Sequence, residues 1–341
     1  MNAQKIRQLL EQRQFPDQPQ SVQLIETHIS WVLITEAYAY KIKKPQVFSF
    51  LDFSTLDKRR HFCQREYELN LRLAPDMYLG VLPVKETKNR LFIGNREGAI
   101  IDYAVLMKRM DFSRQMDRLV EASKVTKEHM AQIAGQMARF HKKVRVIDRE
   151  ENVEEIHNKF EDLASISDFM ERHFGAEASA FIGSVCRWSE RFTKQHQNRF
   201  EERARQGFIV DGHGDLHSRN IFLLDQPVIF DCIEFNDDYR RLDVLSDIAF
   251  FCMDLDHYNR QDLSRHFLEE YLARIDAMPR EEDRNIFHYY KMYRANVRLK
   301  VNALAGIERE EKRKAVSEEL LKEIKVYYDL LQDYFEEGKK D

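Results

Sequence analysis

Asp211-Gly-His-Gly-Asp215-Leu-His-Ser-Arg-Asn220-Ile, followed after a short turn by Val228-Ile-Phe-Asp231-Cys-Ile-Glu-Phe-Asn236, puts two acids and an amide at the spacing that phosphoryl transfer requires. Asp215 and Asn220 fall on a tight loop. Ile221 to Leu224 is an apolar run, Asp225-Gln226-Pro227 reads as a turn, and Val228 to Phe230 reads as a buried strand that delivers Asp231. A hairpin of this kind can hold one carboxylate, Asp215, that takes the proton of an acceptor hydroxyl. An amide oxygen from Asn220 and a second carboxylate, Asp231, then suit Mg²⁺, a hard cation that takes few protein ligands.

Within that stretch His213-Gly214-Asp215-Leu216-His217-x-x-Asn220 resembles the HGDxHxxN loop of the aminoglycoside phosphotransferase family, itself similar to the catalytic loop of protein kinases. Four further segments resemble a bacterial branch of that family: Glu26-Thr-His28-Ile-Ser-Trp31, Tyr40-Lys41-Ile-Lys43-Lys44-Pro45, Leu69-Asn70 with Leu73-Ala-Pro75, and Phe230 to Asn236. The resemblance spans residues 20 to 305.

The resemblance implies an α+β, bilobal protein-kinase-like fold, with a small β-rich N-lobe at 1–107 and a larger helical C-lobe at 108–341. It implies a small-molecule kinase using ATP and Mg²⁺, with Asp215 as catalytic base and Asn220 and Asp231 as metal ligands. Tyr38-Ala39-Tyr40-Lys41 has the parity of the kinase V-A-x-K strand, where side chains alternate with period two, so Lys41 is the expected phosphate-binding lysine. Lys43 shares its face and is the fallback, whereas Lys44 points the other way. Glu66 fits the position of the carboxylate that orients this lysine, with Glu68 as the alternative. Met107 to Met110 joins the lobes, where backbone groups would contact the nucleotide. His213 and His217 flank the base and are expected to build the loop, their ring nitrogens bonded to nearby carbonyls. Asp247 is the expected buried acid that bonds the catalytic-loop backbone, with Arg241 and Asp243 in the same polar network.

The rest of the chain fits this frame. Prolines punctuate the first 83 residues and then vanish until Pro227. Before residue 110 we read strands at Trp31–Thr35, Ala37–Lys43, Gly80–Val84, Arg90–Ile93 and Ala99–Met107, interrupted by a helix within 55–73. After it, Met130, Ile133, Met137, Phe140 and Val144 recur at helical intervals behind the N-cap candidate Thr126. Residues 153–206 read as two or three amphipathic helices, the expected wall of an acceptor pocket, and 261–277, 281–305 and 313–336 as further helices. Residues 1–14 read as a short surface helix and not a secretory signal.

A net charge of −4 gives no electrostatic footprint for nucleic acid. The four cysteines form no CxxC pair and suit the reduced thiols of a cytoplasmic protein. The longest apolar run, near Ile248 to Met253, is far short of the roughly 18 residues that span a bilayer. No glycine occurs between Ile25 and Ile34, so the G-x-G-x-x-G loop of protein kinases is missing, and no Walker A motif is present. Only 15 residues separate Asp231 from Asp247, too few for an activation loop that docks a peptide, and Gly214 stands where kinases carry an Arg. The expected acceptor is therefore a small-molecule hydroxyl, and Glu234, Asp237 and Asp238 would favour a cationic one. The alternative is a nucleotide-binding pseudokinase without turnover. A metal-dependent phosphoesterase would need its ligands on separate loops. The acceptor's identity, ATP against GTP, and the oligomeric state stay open at this point.

Overall fold

The computed structural model describes residues 1–48, 50–88, 90–149 and 152–339. The chain forms two compact units, one of residues 1–122, 213–215 and 219–240, the other of residues 123–212, 216–218 and 241–341. The first unit begins with α1 (Ala3–Gln12), β1 (Gln23–Glu26), β2 (Ser30–Ile34), β3 (Tyr38–Lys43) and a small hairpin of β4 (Val47–Phe48) and β5 (Leu51–Asp52). Then come α2 (Leu56–Asn70), β6 (Tyr78–Thr87), β7 (Arg90–Ile93), β8 (Ala99–Lys108) and α3 (Met116–Glu121).

Six of these strands form one antiparallel sheet in the order β1-β2-β3-β8-β6-β7. Alternation along β3 divides its side chains between two cores. Tyr40 and Ile42 join Trp31, Leu33 and Ala104 in a cluster completed by Ile6 and Leu9 of α1. The N-terminal helix is thus not the simple surface element expected from its charges, because an apolar pair three residues apart faces inward at 1% and 0% exposure. Lys41 and Lys43 take the other side of β3, where α2 packs. Thr55 caps α2 by accepting a hydrogen bond from the Lys58 amide, and the helix buries Arg59, Cys63, Glu66, Leu69 and Asn70, recurring at three and four residues. Glu66 is on that inward stripe and Glu68 is exposed.

The second unit opens with α4 (Lys127–Lys143), started by a capping box between Thr126 and His129. Met130, Ile133, Met137 and Phe140 form its buried face, and Val144 is its C-cap. Residues 153–206 hold four α-helices, more than the two or three expected: α5 (Val153–Glu161), α6 (Ser167–Phe174), α7 (Ala176–Gln195) and α8 (Gln197–Arg205). Apart from Gly175, which starts α7 at φ 91°, these breaks carry neither glycine nor proline and leave little trace in sequence. After β9 (Ile209–Asp211) the chain re-enters the first unit for β10 (Ile221–Leu223), β11 (Pro227–Ile229) and α9 (Asp237–Arg240). It ends in the second unit with β12 (Arg241–Asp243), α10 (Val244–His257), α11 (Gln261–Leu272), α12 (Glu282–Glu311) and α13 (Glu318–Gly338).

Helix α10 is buried from Val244 to Asp256. Asp243 caps it, accepting from the Leu245 amide, and takes a two-bond grip from Arg203 at 2.6 and 2.8 Å. Arg203 and Arg199 both bond Asp283 of α12, so buried charges here are paired on every side. No helix among the described residues is long and apolar enough to cross a membrane.

Candidate active site

The first unit gathers Lys41, Lys43, Glu66, Met107, Met110, His213, Asp215, Asn220 and Asp231, whereas His217 and Asp247 belong to the second. On β3, Lys41 Nζ lies 2.8 Å from Glu66 Oε1 and 2.7 Å from Asp231 Oδ1. Lys43 Nζ lies 2.7 Å from Glu66 Oε2 and also pairs with Glu234. One buried carboxylate, Glu66, therefore serves both lysines, and each lysine has a second acid from the segment after β11. The Lys43 and Glu66 side chains are fully buried, while Asp231 keeps 37% of its side chain exposed. Glu68 instead accepts a hydrogen bond from Gln64, and Lys44 pairs with Glu26 and lies over the Trp31 ring.

Burial opposes charge on all of these groups, and the neighbours decide the outcome. Burial depresses the Lys41 ammonium, but Asp231, Glu66 and Glu234 more than restore it, leaving it well above its usual value. Lys43 is likewise raised against burial by Glu234 and Glu66. Burial pushes Glu66 up and its two lysines pull it further down, so it sits below the usual carboxylate range. For Glu234 burial wins, the attraction of Lys43 being partly cancelled by Glu66, and it sits above that range.

Nothing in the sequence assigns Glu234 this role: with Asp237 and Asp238 it is expected to favour a cationic acceptor, but Glu234 is buried on Lys43, and Asp237 pairs with Arg240 at 2.6 Å and Arg65 at 3.3 Å. Of the three, Asp238 is exposed. No periodicity points to it, since residues 231–236 form neither strand nor helix.

Asp231 adopts φ 62°, a left-handed conformation that a non-glycine residue takes at a cost. Bonds on either side hold it there. The Phe230 amide donates to the Asn220 carbonyl at 3.0 Å, and the Phe230 carbonyl meets His213 Nε2 at 3.0 Å. The Cys232 amide donates to Asn70 Oδ1 at 2.9 Å, the Ile233 amide to the His213 carbonyl at 3.1 Å, and Arg240 Nη1 donates to the Ile233 carbonyl at 2.9 Å. Asn70 in turn donates to the Glu66 carbonyl, tying α2 to the turn that carries Asp231.

His213 accepts the Asp215 amide at Nδ1, 3.2 Å away, which places the ring hydrogen on Nε2 facing the Phe230 carbonyl. Asn220 Nδ2 donates to both the backbone oxygen and Oδ2 of Asp215, at 3.0 and 3.1 Å, so the atom of Asn220 suited to a cation is its amide oxygen. Gly214, at φ 86°, is required: a Cβ there would stand 2.9 Å from the Tyr239 carbonyl oxygen. An amide oxygen and a partly exposed carboxylate are hard donors, few in number, and fit Mg²⁺. No group of three or more His, Cys, Asp or Glu side chains able to hold a metal occurs among the described residues.

Met107 is buried beside Cys63, Tyr78 and Phe222, with Met110 packed against the same cluster, and pairs across the sheet with Ala39. Met110 also borders a cavity of about 970 Å³ within the first unit, lined by Gln23, Ile25, Thr27, Arg109 and Arg219 among others. In the second unit His217 packs against Phe250, with ring centroids 5.5 Å apart. Asp247 is fully buried with His141 Nε2 3.1 Å away, and Asp254, two turns along α10, accepts the Ser218 amide at 2.8 Å.

Two solved structures share this arrangement of elements. A choline kinase from Cryptosporidium parvum superposes with a TM-score of 0.55 at 11% identity, covering 98% of this chain and 97% of that one. A choline/ethanolamine kinase family protein from Mesorhizobium loti gives 0.54 at 9% identity, covering 98% and 95%. The fold is protein-kinase-like. In sequence, an uncharacterised protein of Mycobacterium tuberculosis is 33% identical over 285 residues, 82% of this chain and 54% of that protein, and one from Mycobacterium bovis matches to the same extent. The chain spans about half the length of the curated relatives it matches. No family model matches it.

Proposed function

We propose that this chain is a member of the aminoglycoside phosphotransferase family that moves the terminal phosphate of ATP to a hydroxyl of a small molecule. The observation that carries this reading is the buried Lys41–Glu66 pair on β3 and α2, set in the same compact unit as Asp215, Asn220 and Asp231. Lys41, held by Glu66, would bind the donor phosphates. Asn220 and Asp231 would hold Mg²⁺, which when bound neutralises the charge that develops on the phosphoryl group. Asp215, fixed by the amide of Asn220, would accept the proton of the attacking hydroxyl. Most of the rate gain comes from positioning and charge neutralisation, since the reaction needs little covalent work from the protein. The cavity beside Met110 is of a size suited to a nucleotide's base and sugar.

The test is melting temperature with and without Mg·ATP, for wild type and Asp231→Ala. Nucleotide at about 100 times its dissociation constant adds about 2.7 kcal/mol to a fold that binds it. A magnesium-dependent rise that Asp231→Ala abolishes is the expected result, and no rise with ATP, GTP or ADP sinks the assignment. Binding with equal, background phosphate transfer in wild type and Asp215→Ala would instead identify a pseudokinase.

A further inference from the structure

Tyr78 opens β6, its backbone paired with Met107 of β8, and its side chain is 2% exposed. The ring packs with Cys63, Met107 and Phe222, a setting that phenylalanine would fill equally well. Its hydroxyl is the part that packing does not explain. That hydroxyl is buried, and its hydrogen has no acceptor among the described residues. Buried hydroxyls are almost always partnered, because one left unpaired loses its bonds to water without replacement.

The charged groups that bear on this phenol are Asp231, Glu66 and Lys41. A phenol is protonated at neutral pH and can donate. The acids that bear on it are drawn to the lysines: Lys41 lies 2.8 Å from Glu66 Oε1 and 2.7 Å from Asp231 Oδ1, and Lys43 lies 2.7 Å from Glu66 Oε2, while the Asp231 backbone amide faces the phenol oxygen as a donor and leaves the hydroxyl hydrogen without an acceptor.

We propose that Tyr78 is a ligand-binding residue of this site, its hydroxyl donating to an oxygen that arrives beside Asp231 with the magnesium nucleotide, either on a phosphate or on a water of the metal. This rests on the phosphotransferase reading. It assigns a role to a side chain outside the lysine, base and metal-ligand positions, and it makes the unpaired hydroxyl a feature of the ligand-free protein that binding completes.

Tyr78→Phe tests it, because the substitution removes one oxygen and keeps the ring. Melting is followed without ligand, with Mg·ADP, and with ADP in EDTA, and Mg·ADP affinity is measured by titration. Without ligand the variant is expected to melt at or above the wild-type temperature, as no bond is lost. Its Mg·ADP affinity is expected to fall at least tenfold. A loss confined to the magnesium arm assigns the partner to metal-held water, and a loss in both arms to a phosphate oxygen; either supports the proposal. An unchanged Mg·ADP affinity overturns it, and a lower melting temperature without ligand at unchanged affinity marks the hydroxyl as purely structural. If wild type itself fails to respond to any nucleotide, the phosphotransferase reading fails and this proposal falls with it.

Discussion

Replacing Glu66 or Glu234 by glutamine should have unequal effects on stability, although both acids touch the same Lys43. Each ion pair near 2.8 Å is worth about 6 kcal/mol of Coulomb attraction at an effective dielectric constant of about 20. Glu66 makes two such contacts, one to each lysine, against a desolvation penalty of several kcal/mol for one buried ion. Glu234 makes one, is itself buried, and is repelled by Glu66. The cluster holds three carboxylates against two ammonium groups, so losing the charge of Glu234 brings it to neutrality, whereas losing that of Glu66 removes the shared bridge. Removing one partner of a buried pair typically costs about 3–5 kcal/mol. Since Lys41 keeps Asp231 and Lys43 keeps Glu234, Glu66→Gln belongs at about 3 kcal/mol. Glu234→Gln should change stability by no more than about 1 kcal/mol, because the desolvation it relieves offsets the contact it loses. At about 2–4 °C per kcal/mol for a domain of 150–250 residues, the first variant should melt roughly 6–12 °C lower and the second within a few degrees of wild type. Urea and thermal unfolding at pH 7, followed by circular dichroism, decide the matter. Equal losses in the two variants would refute the view that Glu66 is the charge on which the cluster depends.

Other consequences follow from the same geometry. The folded-state carboxyl of Glu66 is depressed, so its contribution is fully present above the ordinary value of 4.5 and is lost as pH falls toward about 2; Glu66→Gln should flatten that limb of the acid-unfolding curve. Gly214→Ala combines φ 86° with a Cβ 2.9 Å from a backbone oxygen, and should cost at least about 1–3 kcal/mol in urea unfolding while displacing Asp215 enough to depress any transfer activity. Asp215→Ala should lower phosphate transfer about 10²–10⁴-fold while leaving the nucleotide-induced rise in melting temperature in place. Asp243→Ala in the second unit strips Arg203 of its two-bond partner and α10 of its cap, and should cost about 3–5 kcal/mol by the same unfolding assay.

The features legible in the sequence are those encoded by spacing along one stretch of chain. The 211–236 segment announced a loop, two short strands and Asp231 at the end of the second, because turn residues and a short apolar run need no distant partner to be read. Parity along β3 separates Lys41 and Lys43 from Tyr40 and Lys44, whereas Glu66 and Glu68 stay open as alternatives until the buried stripe of α2 places Glu66 inward. Tertiary structure alone decided the rest. Glu66 bridges both lysines, Glu234 is withdrawn from solvent onto Lys43 from 191 residues away, and Asn70 fixes the Cys232 amide across 162 residues. The unpaired hydroxyl of Tyr78 is equally invisible in sequence, since tyrosine at the start of a strand is ordinary, and only the packing of β6 beside β8 and α2 brings it to Asp231. Local periodicities fix which way a side chain points; which charge it meets depends on sheet register and chain return, which bring Lys41, Lys43, Glu66 and Glu234 together out of solvent beside the partly exposed Asp231.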